Sequence, residues 1–224
     1  ESLKPALNPD AAPLLAELEE AERKADVADL RSDAPKAIAQ SEEGVRRVSQ
    51  IVQAMKEYAL PLREEMANAD LNRAIETAAT LARTEWKYVA ELSTRLDPSL
   101  PLVPCHLDDI NQVLLQLIVN AAQAIGEQPH PDGKISGQIV LSSRTLPDGV
   151  AIRVADNGPG TPEENRSKIF TPFFTTKKDG KSIGQSLALA YHIVVNRHRG
   201  DIRFETETGQ GATFILRLPT PPPQ

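Results

Sequence analysis

The run Val150-Ala151-Ile152-Arg153-Val154-Ala155-Asp156-Asn157-Gly158-Pro159-Gly160-Thr161-Pro162-Glu163-Glu164 decides how this chain is read. Apolar residues alternate from Val150 to Val154, as in a strand with one buried face. That strand delivers one carboxylate, Asp156, to a turn holding two glycines. A carboxylate there accepts a hydrogen bond from an exocyclic amine, and glycines let the backbone approach a flat ring. The arrangement is a way to read adenine. Thr161-Pro162-Glu163-Glu164 then carries a capping-box pattern: Thr161 as N-cap, proline at the first helical position and Glu164 at N3. A helix is expected directly after the turn.

Working outward, Gln138–Thr145 reads as a partner strand, joined to Val150–Ala155 through the turn Leu146-Pro147-Asp148-Gly149. A strongly apolar helix is expected from Asp108 or Asp109 through Ile125, and a strand over Val89–Leu96 precedes the Pro-rich stretch 97–104. Asp70 caps a helix over Leu71–Leu81. Another helix is expected over about Gln185–Arg197, and two last strands, Asp201–Thr206 and Ala212–Leu218, flank Thr208-Gly209-Gln210-Gly211. The fold class is α+β, a mixed sheet against helices, over residues 70–219. A helical segment occupies 1–61, with Leu14–Leu30 as one helix, a linker 62–69 and a Pro-rich, frayed tail 220–224.

The chain has 224 residues, 40% of them hydrophobic and 25% charged, enough for a packed core. A net charge of −6 argues against nucleic-acid binding and against direct contact with an anionic membrane. Cys105 is the only cysteine, so no intrachain disulfide forms; its neighbourhood reads as a small core residue. No apolar stretch approaches the ~20 residues of a membrane span, so a cytoplasmic location is expected, with a membrane anchor possible in a longer parent. The start at Glu1, without Met, reads as a processed or shortened chain.

Ile38, Val45, Val52 and Ala59 lie seven apart, with Val48 and Met55 between them, and Pro61 ends the run. The pattern suits a helix over 34–60 in a bundle or coiled-coil homodimer; an ordinary amphipathic helix packed on its own domain gives it too.

Three further segments carry candidate chemistry. Asn120 lies in the apolar helix Leu115–Ala122, with Gln116 one turn earlier. An amide oxygen can ligate Mg²⁺ and so help hold phosphate oxygens, although a buried Asn bonded to backbone explains the residue equally. Ile169-Phe170-Thr171-Pro172-Phe173-Phe174-Thr175-Thr176-Lys177 packs three of the chain's five phenylalanines before a polar loop, as in a lid with apolar anchors. Gly184 opens the helix of Leu187, where free N–H groups favour phosphate.

In this order the segments resemble the ATP-binding catalytic domain of sensor histidine kinases, within the superfamily of gyrase-type topoisomerases, heat-shock chaperones and mismatch-repair ATPases. Gln116–Ala122 is similar to the N box, Asp156–Gly160 to the first glycine box, Phe170–Lys177 to the phenylalanine box and Gly184–Leu187 to the second glycine box. The resemblance implies ATP and Mg²⁺ as cofactors. Asp156 would take the adenine amine, and Gly158 and Gly160 would shape its pocket. Asn120 would hold Mg²⁺, and Gln116 and Asn120 would be the catalytic pair. Gln123, Phe170, Thr176, Lys177, Gly184 and Leu187 would complete the nucleotide site. It also implies transfer of the γ-phosphoryl to a histidine, relay to a response-regulator aspartate, and a dimerisation helix around Glu43–Val48.

Three departures stand out. His106, His130, His192 and His198 all lie beyond the first 61 residues, in none of the contexts of the family's phosphoacceptor. Ser182 and Ser186 occupy the outer glycine positions of the second glycine box, and serine disfavours positive φ. Gln116 cannot act as a general base, which suits phosphotransfer better than hydrolysis. The alternative these departures raise is a degenerate regulatory module without kinase activity.

Overall fold

The computed structural model describes residues 66–128, 136–176 and 184–220, together with 13–14, 17, 20–21, 31–42, 44–45 and 48–49. The chain divides into two compact units, Glu1–Glu57 and Tyr58–Gln224. In the first, every described residue is helical. The heptad residues Ile38, Val45 and Val48 are exposed there, while Val52, Met55 and Ala59 lie outside the described residues.

The second unit is a five-stranded sheet under a layer of helices. In chain order its elements are β1 (Ala67–Ala69), α1 (Leu71–Leu81), α2 (Arg83–Trp86), β2 (Ala90–Arg95), β3 (Val103–Cys105), α3 (Leu107–Gly126), β4 (Gly137–Leu146), β5 (Gly149–Asp156), α4 (Glu163–Arg166), α5 (Ser186–Tyr191, continued by a π-helical turn His192–Arg197), β6 (Asp201–Glu207) and β7 (Gly211–Pro219). The sheet runs β2-β4-β5-β7-β6, with β2 parallel to β4 and every other pair antiparallel. Its period-2 pattern puts Ile139 and Leu141, Val150, Ile152 and Val154, and Leu216 and Leu218 on one buried face. The same period leaves Arg153 exposed on the other. Onto the buried face α3 lays Ile110, Leu114, Leu117, Ile118 and Ile125, and α1 adds Leu71, Ile75 and Ala78 behind it.

Local chemistry explains the boundaries. The Asp70 carboxylate accepts from the Asn72 and Arg73 N–H groups at 3.0 and 3.2 Å and starts α1 as expected. Asn72 and Asp97 then join α1 to the sheet. Asn72 Nδ2 donates to the Asp97 carbonyl at 2.8 Å, and Ser143 Oγ donates to Asn72 Oδ1 at 2.7 Å. The Asp97 carboxylate receives the N–H and hydroxyl of both Ser99 and Thr145. Those donors, the Ser99 hydroxyl foremost, hold it well below the usual carboxylate range.

Three elements depart from the sequence reading. Residues 67–69, read as the end of a linker, form β1, which pairs antiparallel with β3 in the register Ala67↔Cys105 to Ala69↔Val103. Neither piece has strand propensity of its own, and the pairing across the chain makes both. The capping box of Thr161 does not form: α4 is a single turn with Pro162 as its N-cap and no side-chain cap bond. The Thr161 N–H donates instead to Thr206 Oγ1 at 2.9 Å, so a contact with β6 outcompetes the local cap. The helix expected over 185–197 is α-helical only to Tyr191 and then widens into the π turn.

His198 ends that turn, buried to 4% exposure. Its Nε2 accepts the His106 N–H at 3.0 Å, and its Nδ1 lies 2.8 Å from the Ile193 carbonyl. A carbonyl only accepts and an N–H only donates, so the ring is the neutral Nδ1–H tautomer. Beside it, Arg197 reaches Asp109 in the first turn of α3 at 2.7 Å. Burial first, and then the neighbouring His106 and Arg197, lower the His198 pKa below its ordinary value of 6.5. The unfolded chain therefore binds the extra proton first. Stability is full above pH 6.5 and declines as pH falls below it. We expect His198→Ala to lose about 2–4 kcal/mol from two lost hydrogen bonds and a cavity. It should also lose that part of the slope of unfolding free energy below pH 6.5, measured by urea denaturation; an unchanged slope would refute the assignment.

Candidate functional site

One cleft opens at the C-terminal end of β5, between α3, the segment 160–176 and the start of α5. Asp156 is the last residue of β5 and faces into it. Its Oδ1 accepts the Gly158 N–H at 2.8 Å, and the Ala212 N–H also donates to the carboxylate. Burial raises its pKa, and those two N–H groups pull it partly back.

Close backbone approach shapes the rim. Gly160 has φ 68°, and a Cβ there would lie 2.3 Å from the Glu207 carbonyl oxygen. A Cβ on Gly158 would press on Asp156 Oδ1 at 2.8 Å. Gly211 is tighter still: with φ 89°, its Cβ would fall 2.0 Å from the Asp156 carbonyl oxygen. The sequence reading took Gly211 only as part of a hairpin turn, and two glycines in four residues was the available signal.

Asn120, on α3, lines the same cleft. Its Oδ1 accepts from Gln116 Nε2 at 3.3 Å, and its Nδ2 lies 3.5 Å from Ser186 Oγ. Gly184, φ 68°, sits where a Cβ would meet the Phe174 carbonyl oxygen at 2.3 Å, so the segment before α5 and the phenylalanine run are in close register. Ser186 is the first residue of α5. Among the described non-glycine residues only Phe173 and Arg199 have positive φ, so serine at 186 carries no backbone strain.

Of the eleven residues nominated from sequence, Asn120, Asp156, Gly160, Thr176, Gly184 and Leu187 line the cleft together. Gly158 and Gln116 stand behind it, bonded to Asp156 and Asn120. Gln123 is exposed on α3. Phe170 lies outside the lining and packs on Tyr191 and Phe214, ring centroids 5.5 and 6.5 Å apart. Phe173 is no anchor: it is 57% exposed with φ 66°. Lys177 and Ser182 fall outside the described residues. The reading missed the apolar walls, Ala121, Ala124, Ile169, Phe204, Ala212 and Phe214. Nothing local separates these from ordinary core residues.

The sequence pattern of the histidine kinase-, DNA gyrase B- and HSP90-like ATPases matches residues 105–222, more than half of the chain. The chain belongs to that ATPase family. Its curated relatives include the signal transduction histidine-protein kinase AtoS of Escherichia coli (strain K12), 34% identical over 180 residues that cover 78% of this chain and 27% of AtoS. The chain thus spans about a quarter of the length of that relative. Among solved structures, the nucleotide-free catalytic domain of histidine kinase ThkA superposes with a TM-score of 0.59 at 30% identity, covering 71% of this chain and 98% of that domain. Histidine kinase ThkA in complex with the response regulator TrrA gives 0.66 at 25% identity, over 95% of this chain and 62% of that one. The five-stranded sheet and its helical layer are thus the histidine-kinase form of the ATPase fold.

The geometry separates two kinds of glycine. Gly211→Ala must displace the end of β5 and should cost about 3 kcal/mol or more in chemical denaturation. Gly209 has φ 83° but nothing within 4 Å of a Cβ, so Gly209→Ala should cost only about 1 kcal/mol. Equal costs would show that backbone conformation, rather than the approach to Asp156, sets the requirement.

Proposed function

We propose that this chain is the ATP-binding core of a dimeric sensor histidine kinase, acting in the cytoplasm. It passes the γ-phosphoryl of Mg-ATP to a histidine, for relay to a response-regulator aspartate. The observation that carries this reading is the convergence of four sequence segments on one cleft, which Asp156 and Asn120 both line.

Asp156 accepts the adenine amine, and Gly160 and the walls Ala124, Phe204 and Phe214 admit the flat ring. Thr176, Gly184 and Leu187 lie on the phosphate side, where Lys177 follows in sequence. No group of three or more His, Cys, Asp or Glu is poised for a metal among the described residues. Asn120 Oδ1 would be the protein oxygen for a Mg²⁺ that arrives with the nucleotide. When bound, it neutralises charge on the phosphates. Gln116 orients Asn120 through its Nε2 hydrogen bond to Asn120 Oδ1 and abstracts no proton. The acceptor imidazole is the nucleophile, and the domain contributes position. His198, with both ring nitrogens engaged, is unsuited to accept phosphate. His106, His130, His192 and His198 stand in none of the sequence contexts of the family's phosphoacceptor.

Residues 1–61 belong to the dimerising helical segment and 70–219 to the ATP-binding domain. The exposure of Ile38, Val45 and Val48, 59–67%, supports a second copy as the partner of the 34–60 helix. The complex of ThkA with TrrA supports a response regulator as the further partner. The unstrained Ser186 weighs against a disabled, purely regulatory module.

Calorimetric titration with a non-hydrolysable ATP analogue tests the reading. Micromolar, Mg²⁺-dependent binding is expected, and Asp156→Asn should weaken it at least tenfold, about 1.4 kcal/mol. Burial raises the folded pKa of Asp156 above 3.8, so its ionised form opposes folding once pH exceeds that folded value. Asp156→Asn should therefore leave the melting temperature unchanged or raised at pH 7. Wild-type affinity in this variant would sink the site assignment.

A further inference from the structure

The sheet has a second face. Opposite the helices, two contiguous depressions of about 280 and 400 Å³ share Arg203 and Arg217. Five arginines line them, Arg144, Arg153, Arg199, Arg203 and Arg217, against three carboxylates, Asp148, Asp201 and Glu205. This patch is locally positive on a chain of net charge −6.

The strand register orders it. One row across the sheet is Ser142, Arg153, Ile215, Arg203; the next, two residues along, is Arg144, Ala151, Arg217, Asp201. Arg153 pairs with Glu205 at 3.4 Å and Arg203 with Asp201 at 2.7 Å, both at exposed positions. Arg144, Arg199 and Arg217 make no ion pair among the described residues. The Arg217 Nε is buried without a hydrogen-bond partner. Arg199 is held at φ 53°, a conformation that a non-glycine residue adopts at a cost. Arginine stems cover Ala151 and Ile215, but such cover does not require five guanidinium groups.

We propose that this face is a docking groove for an extended acidic segment of a partner protein. Rows two residues apart along a strand are about 7 Å apart, the spacing of side chains i and i+2 in an extended peptide. A segment lying along the strands would place alternate carboxylates on the two arginine rows, where guanidinium pairs with carboxylate through two hydrogen bonds. The interspersed Asp148, Asp201 and Glu205 oppose a continuous phosphate surface, so a nucleic acid or an anionic membrane fits less well.

The test uses fluorescence anisotropy of the full chain with a labelled eight-residue peptide alternating Glu and Val, and a Lys-Val peptide as control. At roughly 50 mM salt the Glu-Val peptide should bind at least about tenfold tighter than the control, and weaken severalfold at roughly 300 mM. Arg144→Gln with Arg153→Gln, both exposed positions, should weaken it about tenfold. Arg203→Gln alone should weaken it severalfold. All variants should keep wild-type affinity for the ATP analogue, because that cleft lies on the opposite face. This separates failure of the groove from failure of the nucleotide site. Equal binding of the two peptides, or no effect of the arginine changes in folded protein, overturns the proposal. So does tighter binding of inorganic polyphosphate or phosphatidylserine vesicles than of the Glu-Val peptide.

Discussion

A half-buried carboxylate at the end of a central strand sets the terms for the second unit. Asp156 closes β5, the middle strand of five, with β4 and β7 hydrogen-bonded on either side. Its side chain is held by two backbone N–H groups, and its carbonyl lies against Gly211, where no Cβ fits. An ionised group in such a place is unfavourable for folding alone. It persists because the surrounding backbone over-determines the site.

Another wall is built by different means. Helix α3 is anchored in the core by its apolar stripe, which leaves Asn120 only one face on which to emerge. Its start is fixed from outside, by His198 on the His106 N–H and Arg197 on Asp109. Both partners come from the π turn that follows α5. The widened turn thus connects α5, whose first turn lines the cleft, to the helix that carries Asn120.

The sheet divides the labour of the domain between its faces. One is apolar and carries helices and the cleft; the other is rich in arginine and open to solvent. An antiparallel sheet tolerates such asymmetry because alternate side chains belong to different environments. A contact on the outer face would reach the cleft only through the strands themselves, which makes the two surfaces separable by substitution.

How much of this was legible beforehand follows from the range of the forces involved. Periodicity in Gly137–Asp156 and Leu107–Gly126 sufficed for two long strands and the central helix, because burial of one face imprints a local pattern. Asp156, Asn120 and Gly184 were legible because a carboxylate, an amide or a glycine in an apolar setting needs a reason. The short strands β1 and β3 were not, since each exists only by pairing with the other. Nor was the lost cap of Thr161, which yields to Thr206 on a strand some forty residues on. The apolar walls Phe204, Ala212 and Phe214 have the same composition as core, and only the fold decides which apolar residues face a void. Sequence alone determined the strand-turn motif, the order of the segments and the class of fold. Tertiary structure decided which residues share the cleft and which glycines are irreplaceable, because those depend on contacts between distant backbones that leave no local trace.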